Sequence, residues 1–323
     1  MLSIRIERNG GPEVLTSTDM PTPEPGEREV RVRHTAIGVN FIDTYIRGGL
    51  YPVPLPSGLG LEAAGTVEAV GPNTHGLSVG DRVAYGIGPL GAYAEAAVVP
   101  VANLVSLPHG IDDQTAAASL LKGMTAYFLL RRIFPVQPDD WILVHAAAGG
   151  VGQILCQWGK CLGAKVIGTV GSPDKAVLAR SKGCDHPILY REQSVVDVVK
   201  DLTDGSGVPV VYDSVGRDTM ASSLECLSPR GLLVSYGNAS GPPDPVDVLT
   251  LAEKGSLFLT RPRLFDYTTD KADMLAAATE VFDLITAGKL DIHLGQTFSL
   301  RDAAEAHRAL EARRTQGATL LIP

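Results

Sequence analysis

Residues 141–152 constrain the fold of this chain more than any others. The run Trp141-Ile142-Leu143-Val144-His145-Ala146 is nearly continuous in apolar character, as expected for a strand buried on both faces of a parallel sheet. It leads directly into Ala147-Ala148-Gly149-Gly150-Val151-Gly152. Beyond that turn, Val151, Ile154, Leu155, Trp158 and Leu162 recur at helical spacing and form one apolar face. Strand, turn of small residues and amphipathic helix, in that order, make the opening of a βαβ unit. The turn fits the dinucleotide fingerprint with alanine at the first glycine position. Small residues there serve a tight turn, a close approach of backbone to pyrophosphate, and packing of helix on strand. Gly149, Gly150, Val151 and Gly152 therefore become candidate phosphate-binding residues, because a helix N-terminus offers unpaired N–H groups and a favourable dipole to an anion. Glycines alone would be a weak signal. The flanking strand and helix supply the context that gives the motif meaning.

Similar apolar runs recur at 165–170, 208–212, 231–236 and 257–260, and helix-like stretches separate the early ones. Strand alternating with helix predicts a doubly wound parallel sheet of Rossmann type, an α/β fold. The first 120 residues differ. Residues 29–37 alternate, with Val30, Val32, His34 and Ala36 on one face, which predicts a half-buried strand. Proline and glycine crowd segments 21–27, 51–58 and 70–83, so short strands joined by turns are expected, in a small β-rich domain. The character changes near Asp112, and residues 114–132 read as helix. Residues 270–287 and 302–314 read as two further helices, and the chain closes on a strand-like GATLLIP tail. The pattern alone leaves open which domain that tail joins.

The end of the second apolar run discriminates between nicotinamide cofactors. An NAD site usually carries Asp or Glu about 20 residues after the glycines, to hold the ribose 2′-hydroxyl. Here Val170-Gly171-Ser172 carries no acid, while Ser172 offers a donor and Lys175 a nearby cation. A 2′-phosphate would be attracted by Lys175, so NADPH is the expected cofactor. Asp174 is the contrary sign. It is expected to point away, early in the following helix, where an acid suits the N-terminus.

A formal net charge of −8 argues against nonspecific binding to nucleic acid or to an anionic membrane. No apolar run approaches the ~18 residues of a membrane span. The start of the chain has no secretory pattern, and four cysteines without a CxxC pair suggest reduced thiols in a cytoplasmic protein. His34 and His145 are expected to be structural, and the charges of Arg308, Glu311, Arg313 and Arg314 to form a solvated helix face.

Several motifs in order add a resemblance. They are Val39-Asn40-Phe41-Ile42-Asp43-Thr44-Tyr45-Ile46-Arg47, Gly58-Leu59-Gly60-Leu61-Glu62-Ala63-Ala64-Gly65, Val79-Gly80-Asp81-Arg82-Val83, Gly123-Met124-Thr125-Ala126, the glycine turn, Tyr212-Asp213-Ser214-Val215-Gly216, Tyr236-Gly237-Asn238 and Thr315-Gln316-Gly317. Together they resemble the zinc-free quinone oxidoreductase branch of the medium-chain dehydrogenase/reductase superfamily, over nearly the whole chain. Zinc-dependent relatives carry cysteine at the position of Asn40 and histidine at that of Leu61; neither residue here can ligate zinc, so no metal is expected.

The resemblance implies a GroES-like β-rich domain from 1–122 and 263–323, completed by the tail, and a Rossmann domain at 123–262, with the nicotinamide in the cleft between them. By position, Asn40, Asp43, Tyr45 and Thr125 should line that cleft, and Ser172 and Lys175 should lie near the 2′-phosphate. Tyr190, Ser214, Tyr236, Gly237, Asn238 and Arg313 should complete the cofactor site. Family members tend to pair through the cofactor domain's edge strand, so a homodimer through 257–260 is expected.

The implied reaction is reduction of quinones by NADPH without a metal, with Tyr45 and Asn40 as candidate donors to the developing oxyanion. Relatives on this scaffold also reduce the C=C bond of enones or enoyl thioesters, and some serve as lens crystallins or bind RNA. Both alternatives stand beside the first at this stage.

Overall fold

The computed structural model describes residues 1–323 and divides into two compact units. The first comprises Met1–Gly123, Asp270–Thr286 and Ile292–Pro323; the second comprises Met124–Thr269 and Ala287–Asp291.

The second unit is built on a six-stranded sheet. Its strands run in the order His186–Leu189, Lys165–Val170, Trp141–Val144, Val208–Asp213, Leu227–Ser235, Phe258–Thr260, and every neighbouring pair is parallel. The apolar runs form these strands because both faces are covered. Ile142, Leu143, Val144, Val210, Val211, Leu233 and Val234 have no exposed surface, and full burial of each such side chain is worth about 1.5–3 kcal/mol. Starting from Trp141–Val144, the chain winds outward to His186–Leu189 on one side and then returns to build the other side from Val208. The point of reversal lies between Trp141–Val144 and Val208–Asp213, and such sheets bind ligands outside the carboxyl ends of their strands at that point.

Two sequence expectations are adjusted here. The helix expected over 114–132 is α-helical only over Asp113–Tyr127. It then widens into a π-helical turn at Phe128–Ile133, closed by a bond from Phe134 N to Leu129 O. Phe128 in that turn stacks on Tyr267 at 4.6 Å. The edge strand expected at 257–260 begins at Phe258, and Leu257 turns into the core while Phe258 stays largely exposed.

The first unit contains a seven-stranded sheet centred on the long strand Glu29–Val39, which pairs with Glu62–Val70 along one side. On its other side Ala96–Pro100 covers residues 29–33, and Ala318–Ile322 covers residues 37–39. The tail thus joins this sheet, between Glu29–Val39 and Leu294–Ser299. The predicted alternation holds. Val30, Val32, His34 and Ala36 are buried, while Arg33 and Thr35 are exposed. His34 is structural, its Nδ1 lying 2.7 Å from Ala94 O and its Nε2 2.8 Å from Tyr85 Oη.

Candidate functional site

Most of the candidate cofactor residues come from the second unit, and all of these but Thr125 follow the carboxyl end of a strand. The helix Gly150–Cys161 opens at Gly149, its N-cap, in extended conformation. The left-handed residue of the turn is Ala146, at φ 53°. That explains why alanine is accepted at the first glycine position, Ala147. The strained backbone lies one residue earlier, and Ala147 is packed with no exposed surface. Gly152 has no such latitude. A Cβ there would sit 2.2 Å from Ala146 O and 2.9 Å from Ala147 Cα, so only glycine lets the helix start this close to the strand. The first N–H groups of the helix, at Gly150, Val151 and Gly152, have no intrahelical acceptor and face outward along the axis, which suits a pyrophosphate.

The next strand, Lys165–Val170, ends at Gly171 and Ser172. Ser172 caps the helix Pro173–Ser181, accepting from Lys175 N at 3.5 Å, and Asp174 lies in that helix's first turn, as expected. Tyr190 follows the neighbouring strand His186–Leu189, and its amide donates to Val170 O at 3.2 Å. Its hydroxyl lies 2.7 Å from where a Cβ on Gly171 would stand. Parallel pairing of two strands thus gathers Tyr190, Gly171, Ser172 and Lys175, although Tyr190 is distant in sequence and no local signal marked it.

On the other side of the reversal, Ser214 and the 236–238 segment meet. A Cβ on Gly237 would lie 2.4 Å from Ser214 O, and Tyr236 N donates to Asp213 O at 2.8 Å. Asp213 braces this corner. Its carboxylate accepts from Val215 N, Gly216 N, Thr219 Oγ1 and Ser223 Oγ, all within 2.8–3.1 Å. Arg261 donates to Ser235 O at 2.7 Å. With the Asn238 amide turned to satisfy its neighbours, its oxygen accepts from Arg261 at 3.0 Å. Sequence reading passed over both Asp213 and Arg261 as supports. His145, at the foot of the glycine turn, is wedged between Thr169 Oγ1 at 2.9 Å and Ser223 Oγ at 3.0 Å, and burial holds its pKa below the usual value. Thr125 also belongs to the second unit, buried near the end of Asp113–Tyr127.

In the first unit, Asn40 is the N-cap of the helix Phe41–Gly48. Its backbone N–H donates to Asp43 Oδ2 at 2.8 Å, and its side-chain Nδ2 donates to Glu62 Oε2 at 2.9 Å. The helix carries Tyr45, half-buried, which packs edge-on to Tyr51 at 5.4 Å and beside Phe41 at 6.1 Å.

Asp43, expected to line a cleft, is instead wholly enclosed. Tyr93 Oη donates to its Oδ2 at 2.9 Å, and the remaining oxygen, Oδ1, is buried without a partner. Burial pushes its pKa up to about 7, against the lowering effect of its hydrogen bonds to Asn40 and Tyr93. Behind Tyr93 stands His307, 3.1 Å from Tyr93 Oη through Nε2 and 3.0 Å from Arg47 through Nδ1. Arginine can only donate, so Nδ1 accepts and Nε2 carries the proton. Burial and the adjacent Arg47 hold the His307 pKa down at about 3. Arg47 in turn pairs with Glu311. Glu311 is exposed, as expected of a solvated helix face, and from there it reaches the buried Arg47. Arg313 follows the helix Ala303–Glu311 in left-handed conformation, at φ 58°. No three His, Cys, Asp or Glu side chains gather within reach of a common metal ion. No helix is long and apolar enough to cross a membrane.

Comparison with known proteins bears on both units. Residues 26–109 match the alcohol dehydrogenase GroES-like domain, and residues 150–279 match the family described as zinc-binding dehydrogenase. A protein of Pseudomonas aeruginosa named quinone oxidoreductase is 54% identical, over 99% of each chain. A Burkholderia protein named 2-haloacrylate reductase is 44% identical, over 98% of each. Among solved structures, Escherichia coli quinone oxidoreductase complexed with NADPH matches all of both chains, with a TM-score of 0.98 and 49% identity.

Proposed function

This chain belongs to the quinone oxidoreductase branch of the medium-chain dehydrogenase/reductase superfamily, and from that premise we propose that it reduces quinones at the expense of NADPH. The observation that carries this reading is full-length similarity to relatives of that name, joined to a strand end at Gly171–Ser172 without a carboxylate. The fit to the cofactor rests on the second unit's own geometry, a glycine turn in which a Cβ at Gly152 has no room and a Tyr190 hydroxyl brought beside Gly171. Bound NADPH supplies the hydride.

The chain's residues bind and orient. Amides of Gly150, Val151 and Gly152 hold the pyrophosphate, and Gly149, whose own N–H donates to Ala146 O, shapes the turn beneath it. Ser172, Lys175 and Tyr190 hold the 2′-phosphate. Ser214, Tyr236, Gly237, Asn238, Thr125 and Arg313 complete the cofactor's surroundings. Asn40 positions its nicotinamide end, and the enclosed Asp43 holds Asn40 in place through its backbone N–H. Tyr45 is the donor to the substrate oxygen, because the amide hydrogens of Asn40 point inward to Glu62 and Gly38. A tyrosine hydroxyl carries one hydrogen that it can donate to such an oxygen.

The reaction runs without zinc in this reading, since Asn40 and Leu61 are not metal ligands. The protein acts in the cytoplasm as a homodimer, paired through the exposed edge strand Phe258–Thr260. A second reading, reduction of an activated C=C bond, is favoured by the 44% identity to a 2-haloacrylate reductase.

Calorimetry with NADPH and NADH, followed by turnover on a quinone and on an α,β-unsaturated ketone, tests both readings. Tighter uptake of NADPH and faster reduction of the quinone are expected. Tighter NADH binding overturns the cofactor assignment, and a faster enone reaction favours the second reading over the first.

A further inference from the structure

Glu62 opens the strand Glu62–Val70 and has no exposed surface. Its Oε1 accepts from Leu121 N at 2.7 Å. Its Oε2 accepts from Lys122 Nζ and from Asn40 Nδ2, each at 2.9 Å. The pocket is shaped for the carboxylate, since a Cβ on Gly38 would lie 2.2 Å from Glu62 Oε2. Lys122 is itself buried, an ammonium in the otherwise uncharged stretch Ser119-Leu120-Leu121-Lys122-Gly123-Met124. A buried ion pair of this kind confers no net stability over a well-packed apolar pair, so its presence calls for another reason.

The reason lies in the amide it faces. A carboxylate paired with an ammonium can only accept from its other neighbours. Asn40 must therefore turn its NH2 inward, to Glu62 and to Gly38 O at 3.5 Å. Its carbonyl oxygen is left on the opposite end of the amide, facing the Asp43 N–H of the helix's capping box and keeping a second lone pair for another donor. Nicotinamide riboside presents donors, the ribose hydroxyls and the carboxamide NH2, that such an acceptor fits.

We propose that Lys122 is a positioning residue for hydride transfer, acting through Glu62 to fix the sense of the Asn40 amide. The inference rests on the NADPH reductase reading above. It deepens that reading by naming a residue that touches neither cofactor nor substrate yet sets how Asn40 meets the cofactor.

The decisive variant is the neutral pair Glu62→Gln with Lys122→Met. The amide that Glu62→Gln introduces must keep its oxygen on Leu121 N, so its NH2 takes the place of Oε2 and faces Asn40. The Asn40 amide then flips and presents N–H groups where it had offered an acceptor. Both buried charges are gone, so the fold is not burdened by an unpaired ion, as it would be in Lys122→Met alone.

Wild type is first assayed for NADPH oxidation with a quinone, together with thermal midpoint and NADPH affinity. The double variant is expected to stay folded, with its thermal midpoint lowered by no more than the few degrees that loss of one helix cap costs. It should lose at most a few-fold in NADPH affinity, because the pyrophosphate and 2′-phosphate are held elsewhere. Its kcat is expected to fall roughly tenfold or more, since misplacement of the reacting group by a fraction of an ångström is costly. In an Asn40→Ala background the same two substitutions are expected to have no further effect, because the coupling runs through that amide.

The proposal is overturned by a folded double variant whose kcat lies within about twofold of wild type, the scatter of independent sites. It is also overturned by a double variant that fails to fold, which would make the ion pair structural, or by an equal loss on the Asn40→Ala background. Absence of quinone-dependent turnover in wild type overturns the underlying reading instead, and is seen before any variant is made.

Discussion

His34 makes acid sensitivity a property of the first unit. It is buried, and its two ring nitrogens have partners of opposite kind. Ala94 O can only accept, so Nδ1 donates to it at 2.7 Å, and Nε2 accepts from Tyr85 Oη at 2.8 Å. Protonation would turn Nε2 into a donor facing a hydroxyl that already donates. Burial accordingly pushes the His34 pKa from the ordinary 6.5 down to about 4. The unfolded chain therefore takes up a proton between these values that the folded protein refuses. The stability tied to neutral His34 is fully present above pH 6.5 and drains away as pH falls towards 4. At about 1.4 kcal/mol per pH unit of difference, the whole window is worth about 3.5 kcal/mol, and the fall from pH 7.5 to 4.5 costs about 2.5 kcal/mol.

His34→Gln should remove this term while keeping a donor and an acceptor. The variant is expected to be about 1–2 kcal/mol less stable than wild type at pH 7.5, from imperfect hydrogen bonds. It should equal or exceed wild type at pH 4.5. Urea unfolding followed by far-UV circular dichroism reads the comparison. Fluorescence would not, because both tryptophans, Trp141 and Trp158, lie in the second unit. A stability gap that is the same at both pH values would refute the argument.

Two further outcomes follow from the cofactor site and its chemistry. Lys175→Glu should weaken NADPH binding by roughly 10- to 100-fold, the worth of a charge-assisted hydrogen bond, while leaving NADH binding nearly unchanged; an unaltered ratio of the two dissociation constants in calorimetry would detach Lys175 from the 2′-phosphate. Tyr45→Phe should lower kcat roughly 100-fold, as loss of one oxyanion donor does, with little change in thermal midpoint; an unchanged kcat would leave Tyr45 a packing partner of Tyr51 and Phe41.

The second unit was the more legible part of the chain because its signals are local. Each apolar run is itself a strand, and the glycine turn is read from consecutive residues. Strand starts and ends shifted where core packing decided them, as at Leu257, which turns inward just before the edge strand. The π turn at Phe128–Ile133 left no mark, since its residues are as apolar as those of an α-helix. The strand Leu294–Ser299 was missed because one of its faces is exposed and the other only partly covered.

In the candidate site, Ser172 and Lys175 could be read from the strand end, whereas Tyr190 reaches Gly171 only by parallel pairing of two strands. Lys122 was the clearest missed signal. A single charge amid leucine, glycine and methionine has to find a buried partner, and Glu62, sixty residues away, is that partner. The enclosure of Asp43 by Tyr93 and His307 could not be read at all, because it joins three segments separated by long stretches of sequence.

The position of Ala318–Ile322 between Glu29–Val39 and Leu294–Ser299 has a consequence for biogenesis. During translation the second unit's sheet emerges whole, while the first unit waits for the last strand to leave the ribosome. Until then residues 37–39 offer unpaired backbone groups, a ready template for a neighbouring nascent chain. A chain lacking Ala318–Ile322 would keep that opening for good. Proteolysis or aggregation of such a product should therefore begin at this sheet and leave the nucleotide-binding half intact.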